Sequence, residues 1–154
     1  MSAPSILYFA YGMNCNTVSM ALRCADSQYL GLAVAQKYRL DFNMHCDISA
    51  DPRFQTLGAL WLISASDQDS LDIYEGFDDY YGRSHIDVWF YSERRMVQAM
   101  TYQMQFVNKV RMPPMPSYLK EVTQGYETLG LPLEQLHSAL IRSRKFIPPN
   151  PLNH

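Results

Sequence analysis

Apolar and polar residues fall along this chain in short blocks, and the period of each block predicts an element. Ile6 to Tyr11 is an unbroken apolar and aromatic run, the pattern of a short buried strand. It meets Gly12-Met13-Asn14, a turn signal. Asn16 or Thr17 then caps a helix through Val18, Met20, Ala21 and Leu22. Tyr29 to Val34 and Tyr38 to Phe42 read as strands, and the polar stretch from Asn43 to Arg53 reads as loop. Leu57 to Ile63 is apolar on both faces, as a central strand is.

In the second half, Ser66-Asp67-Gln68-Asp69 resembles a capping box that opens a helix ending near Gly76. Ile86 to Tyr91 and Met96 to Phe106 flank Ser92-Glu93-Arg94-Arg95 and predict a hairpin. The run Met112-Pro113-Pro114-Met115-Pro116 cannot sit inside a helix or a central strand. Ser117 caps a helix with Leu119, Val122 and Tyr126 on one face, and Gly130 closes it. Pro132 starts another helix carrying Leu133, Leu136 and Leu140, and Pro148 to His154 is an extended tail. Strands dominate and helices occur at three places without regular alternation. That disfavours a doubly wound βαβ fold and favours a curved sheet or small barrel flanked by helices.

Composition narrows the function classes. A length of 154 residues fits one domain, taken here as residues 1–147 followed by the Pro-rich tail 148–154. Hydrophobic residues make up 47% and charged residues 18%, enough apolar material for a sizeable core. A net charge of -2 argues against a nucleic-acid module that works by neutralising phosphates. No apolar run reaches the roughly 18 residues of a membrane span, and no signal peptide is visible. Cys15, Cys24 and Cys46 are irregularly spaced and odd in number, so no disulfide framework is expected and the cytoplasm is the default compartment. Without a CxxC or His-x-x-His pattern, no zinc or other metal site is expected. The 11 tyrosines suit a partly polar cavity, or equally the rims of a core.

One carboxylate stands out. Between Arg53 and Arg83 there is no Lys, Arg or His, while Asp67, Asp69, Asp72, Glu75, Asp78 and Asp79 all occur there. For Asp67, Asp69 and Asp72 a solvated acidic face suffices, helped by the helix dipole at the first two. A calcium loop does not fit, because the EF-hand glycine and terminal Glu are missing. Leu71, Tyr74 and Glu75 lie at i, i+3 and i+4, on one helix face. If Leu71 faces the core, Glu75 points inward too, and desolvation raises its pKa toward that of a general base poised near neutrality. The competing reading is a Glu that snorkels out from the helix end or pairs with a distant cation such as Arg83. Spacing alone leaves the two level.

The strand–turn–helix at residues 8–17 is the second candidate. Gly12 permits close approach of a ligand to the backbone. The N–H groups after it can hold a carboxylate or an oxyanion. No GxSxG elbow occurs, so a serine hydrolase is unsupported. Cys15 lies near a helix start, where a thiolate is stabilised. It has no His partner and reads as a packing thiol. His45, His85 and His137 are scattered and read as structural or exposed.

Four segments, taken in order, resemble the γ-glutamylcyclotransferase-like family, which includes the AIG2-like proteins. They are Tyr8-Phe-Ala-Tyr-Gly-Met-Asn14, Gly58-Ala-Leu-Trp-Leu-Ile63, Leu71-Asp-Ile-Tyr-Glu-Gly76, and Pro116 to Gly125 continuing through Gly130-Leu-Pro-Leu133. The resemblance implies an α+β fold, a small mixed β-barrel with flanking helices, and a cavity roofed by the Tyr11–Asn14 loop. Glu75 matches the family's acid/base glutamate. Tyr11, Gly12 and Asn14 match its γ-glutamyl-binding loop, where Met13 replaces the common Ser. Tyr81, Tyr102 and Tyr118 look like its cavity tyrosines.

The activity so implied is cyclisation of a γ-glutamyl amide to 5-oxoproline with release of the amine. It needs a small-molecule substrate and no cofactor, metal, nucleic acid or membrane. The alternatives are a non-catalytic small-molecule or protein-binding module that uses the same cavity without turnover and a hydrolase releasing glutamate. The identity of the amine and the oligomeric state are not legible.

Overall fold

A computed structural model describes residues 3–77, 80–105 and 109–145. The expectations for Asp78, Asp79, Phe106 and the tail from Pro148 lie outside the described residues. Five strands, β1 (Ile6–Ala10), β2 (Gln28–Asn43), β3 (His45–Ile63), β4 (Tyr81–Phe90) and β5 (Arg95–Met104), close a barrel in the order β1-β3-β2-β4-β5. Neighbours are antiparallel except at the closure, where β1 runs parallel to β5 with Tyr8 opposite Met100. Closure removes the free sheet edges that an open sheet must protect. Four helices flank the barrel: α1 (Thr17–Arg23), α2 (Ala65–Glu75), α3 (Pro116–Leu129) and α4 (Leu133–Lys145). This is the expected α+β mixed barrel.

The stretch 43–53, expected as loop, is strand. β2 and β3 form one long ribbon that turns at Asn43-Met44-His45, with Met44 at φ 65°. Its polar composition hid it. Asp41, Asp47 and Asp51 are buried, and they meet cations instead of apolar neighbours. Arg39 reaches Asp41 at 2.9 Å and Asp51 at 2.7 Å, and Lys109 reaches Asp47 at 2.7 Å. Buried carboxylates are tolerated only with such partners. The segments 29–34 and 38–42 are likewise one strand, bent where the register shifts between Gln36 and Tyr38 and Lys37 adopts φ 65°.

The helix signals fall close to their expected places, with two corrections. The capping box of α2 starts at Ser64, not Ser66. Ser64 Oγ accepts from the Asp67 N–H and the Asp67 carboxylate accepts from the Ser64 N–H, each at 3.1 Å. Asp67 is therefore buried rather than solvated, and it also accepts from the Asp26 N–H. α3 is preceded by Met115, with Pro116 in its first turn, where a missing N–H costs nothing. Ser117 is thus inside the helix rather than its cap. Gly76 and Gly130 end α2 and α3 in the left-handed region, at φ 62° and 73°. A one-turn 3₁₀ segment, Met13–Cys15, was not foreseen.

Phe9, Leu60 and Ile63 from β1 and β3, Met100 from β5, Leu71 from α2 and Val122 with Tyr126 from α3 belong to one continuous core. That core fixes the end of β1 and the last turn of α2 relative to each other.

Candidate functional site

β1 leaves the barrel at Tyr11, and the way the next residues are held defines a cavity of about 370 Å3. The carbonyl of Tyr11 accepts from Tyr126 Oη of α3 at 2.6 Å, and Tyr126 Oη accepts from Gln135 Nε2 of α4 at 2.8 Å. Tyr11 Oη donates to the carbonyl of Tyr102. At Gly12 the backbone passes so close to β3 that an added Cβ would lie 2.8 Å from Cys46 Cβ and 3.3 Å from Tyr118 Oη. Only glycine fits there. Asn16 caps α1 by accepting from the N–H groups of Val18 and Ser19.

Glu75 approaches from the other side. It is the last residue of α2, one turn after the fully buried Leu71, and Gly76 then turns the chain away. Its Oε1 accepts from Asn14 Nδ2 at 3.3 Å. Burial pushes its pKa up to about 7, opposed by the positive charge of Arg23 and by the Asn14 hydrogen bond. Of the two readings left level by spacing, the inward one holds. Arg83 does not pair with Glu75. It bonds Asp72 at 2.5 Å, and Asp72 also accepts from Tyr102 Oη at 2.6 Å. Asp72 is therefore a cross-link between α2, β4 and β5, and not part of a solvated face. The acidic segment has no cation of its own, but the fold brings Arg23 to it from α1.

Every residue singled out for the site lines this one cavity: Tyr11, Gly12, Met13, Asn14, Glu75, Tyr81, Tyr102 and Tyr118. Tyr81 Oη donates to the Cys46 carbonyl at 2.7 Å, and Tyr118 Oη accepts from the Cys46 N–H at 2.9 Å. The two tyrosines thus clamp the start of β3. Burial raises the pKa of all three cavity tyrosines, so each hydroxyl keeps its proton at neutral pH.

Sequence reasoning missed seven lining residues: Tyr8, His45, Cys46, Ile73, Tyr74, Gly76 and Tyr80. Tyr8 was read only as strand core, yet its Oη accepts from Asn14 Nδ2 at 2.9 Å. His45 and Cys46 also line the cavity. His45 packs edge-on against Tyr118 with centroids 4.8 Å apart, and burial lowers its pKa. Reading 43–53 as loop left His45 and Cys46 with no strand to place them beside the cavity. Cys46 is buried and its thiol is pushed up to about 12. Cys15 is buried as well, donating Sγ–H to the Ala10 carbonyl at 3.3 Å, and it is a packing thiol.

An inward carboxylate with a pKa near 7, beside a hydroxyl- and amide-lined wall, can take up and return one proton during a reaction. The chain is also similar to known proteins. The sequence pattern of the AIG2-like family matches residues 55–138. Gamma-glutamylcyclotransferase of Bos taurus is 32% identical over 143 residues, covering 84% of this chain and 74% of that protein. The Homo sapiens protein of the same name is 31% identical over the same span. A solved structure described as gamma-glutamyl cyclotransferase superposes with a TM-score of 0.76 at 28% identity, covering 95% of this chain and 89% of that one.

Proposed function

The chain belongs to the AIG2-like family, and from that premise we propose that it is a γ-glutamylcyclotransferase-type enzyme that converts a γ-glutamyl amide to 5-oxoproline and a free amine. The observation that carries the reading is the Glu75 carboxyl in the cavity beneath the Gly12–Asn14 turn, with its pKa raised to about 7.

The reaction asks little of the protein beyond orientation and one proton carrier. The nucleophile is the substrate's own α-amino nitrogen, which attacks the γ-carbonyl carbon. Glu75 accepts a proton from the α-ammonium and frees that lone pair. As the amide C–N bond breaks, the protonated Glu75 hands that proton to the departing nitrogen, and the second proton of the attacking nitrogen returns to the Glu75 carboxylate and leaves with the amine as its ammonium. Folding the glutamyl chain back on itself supplies most of the rate through proximity. The backbone N–H groups of Gly12 to Asn14 hold the α-carboxylate or the developing oxyanion, and losing one donor of that kind costs about 2.7–4 kcal/mol. Tyr11, Tyr81, Tyr102 and Tyr118 wall the site. Their hydroxyls are tied to backbone and to Asp72, so they give it a fixed shape. Three buried free thiols suit a reducing compartment, and the cytoplasm is the proposed location.

The test is incubation of the purified protein with a panel of γ-glutamyl amides, read by mass spectrometry for 5-oxoproline. The expected result is lactam release by the wild type and its loss in Glu75→Gln with folding intact. Free glutamate in place of the lactam would make the protein a hydrolase. Tight binding without product would make it a binding module. Undiminished lactam release by Glu75→Gln would refute the role of that residue.

A further inference from the structure

The carboxamide of Asn14 has an accepting end and a donating end, and the end that faces Glu75 decides which protonation state is favoured there. Arg23 makes the choice. Its Nη1 donates to Asn14 Oδ1 at 2.8 Å. A guanidinium has no acceptor, so the amide oxygen is committed to it. The amide nitrogen is thereby turned toward Tyr8 Oη at 2.9 Å and Glu75 Oε1 at 3.3 Å. The reversed amide would set its N–H groups against the N–H groups of Arg23 and its oxygen against the carboxylate. Arg23 is itself held. It is the last residue of α1, and its guanidinium lies 3.5 Å from the ring centroid of Tyr74, the residue before Glu75.

We propose that Arg23, stacked on Tyr74, is a positioning residue for this site: through Asn14 it keeps a hydrogen-bond donor aimed at the Glu75 carboxylate. It acts through Asn14 and by its charge, and it does not line the cavity. The inference rests on the proposed function for its catalytic meaning, while the coupling to Glu75 stands on the geometry alone. The other groups whose charge would act on Glu75 are Tyr8 from β1, Tyr11 from the loop, Cys46 from β3, Tyr81 from β4 and Tyr102 from β5. Burial keeps all of them neutral at working pH. Tyr74 is the stack itself. Arg83 is satisfied by Asp72. Among the described residues nothing in this set replaces the charge of Arg23.

The test is a carbon-13 titration of the Glu75 side-chain carboxyl, assigned by its disappearance in Glu75→Gln, in the wild type, Arg23→Met and Arg23→Lys. It needs no substrate. Arg23→Met is expected to move the Glu75 midpoint up by about one pH unit, the lower end of what a nearby opposite charge supplies. Arg23→Lys, still cationic and donor-only, is expected to recover most of it. The acid limb of kcat/KM, measured with the γ-glutamyl amide turned over fastest, moves with the midpoint. Activity of Arg23→Met is then about tenfold down at pH 6 and close to wild type at high pH. A Glu75 midpoint equal in wild type and Arg23→Met overturns the proposal, as does a loss of activity equal at every pH. If Arg23→Met does not fold, Tyr74→Leu removes the stack and must move the midpoint the same way, or the proposal fails. A shifted midpoint in a protein that turns over no γ-glutamyl amide would end the enzymatic reading and leave the coupling standing. Turnover with an unmoved midpoint would do the reverse.

Discussion

Asn14 and Glu75 are 61 positions apart in sequence, yet their side chains meet at 3.3 Å. Each sits at the end of a rigid element. Asn14 lies in the turn that leaves β1, and Glu75 ends α2. The contact therefore reports how the β1 exit and the helix are packed together. It also leaves a carboxylate short of compensation. One amide donor and a cation that reaches it through that amide offset only part of the burial cost, so the proton is held up to about pH 7.

That imbalance makes a prediction about stability. The ordinary pKa of a Glu is 4.5 and that of folded Glu75 is about 7, so between the two values the folded state holds a proton that the unfolded state has released. The stabilisation from this group is full below pH 4.5 and is lost as pH rises through 7, in total up to about 3 kcal/mol. Gln cannot ionise. Glu75→Gln is expected to exceed the wild type in urea midpoint at pH 8, with the advantage vanishing by pH 4. An advantage of equal size at both pH values would contradict the raised pKa. A site residue that destabilises its own fold in the active form is the usual trade between stability and activity.

What could be read beforehand, and what could not, divides along the range of the interactions involved. Glu75 was legible in part: helix periodicity tied it to Leu71, a local relation, but left an inward carboxylate and one turned out to solvent or to Arg83 level. The end of β1, the glycine turn and the stops at Gly76 and Gly130 were legible for the same reason. The stretch 43–53 of the β2–β3 ribbon was not, because Asp47 and Asp51 are buried against Lys109 and Arg39, and pairing between residues apart in sequence leaves a polar string where strand alternation would be sought. His45 and Cys46 were lost with it. Arg23 was invisible as a partner of Glu75, since only the packing of α1 against α2 brings it near. The placement of Tyr81, Tyr102 and Tyr118 around one cavity came from family resemblance, for no local pattern distinguishes them from the other tyrosines.

Gly12 offers a steric test of the loop. A Cβ there would sit 2.8 Å from Cys46 Cβ, well inside van der Waals contact. Cys46 cannot retreat easily, because Tyr81 and Tyr118 hold its carbonyl and its N–H. Gly12→Ala is expected to cost about 1–3 kcal/mol through overpacking and to push the 12–14 backbone off its position. A lower Tm by thermal unfolding and a raised KM for the γ-glutamyl substrate are the readouts. Wild-type values of both would mean that the turn is not held as tightly as the contact distances require.

Tyr126 tests the brace behind that loop without touching the cavity. Its ring is fully buried, and its hydroxyl both donates to the Tyr11 carbonyl and accepts from Gln135. Tyr126→Phe keeps the ring and removes both bonds, which strands a buried carbonyl at a cost of about 1–3 kcal/mol. Gln135 retains its two bonds to the Leu57 backbone, at 2.8 and 2.9 Å, so α4 stays docked on β3. The damage is confined to Tyr11 and the turn after it. The expected outcome is a lower urea midpoint and a lower kcat/KM, with the acid limb of the pH profile where the wild type has it. Arg23→Met is expected to move that limb, so the two variants separate placement of the substrate loop from control of the Glu75 proton. If Tyr126→Phe moved the limb as far as Arg23→Met, loop geometry and Glu75 protonation would be one property, and the separate role assigned to Arg23 would be lost.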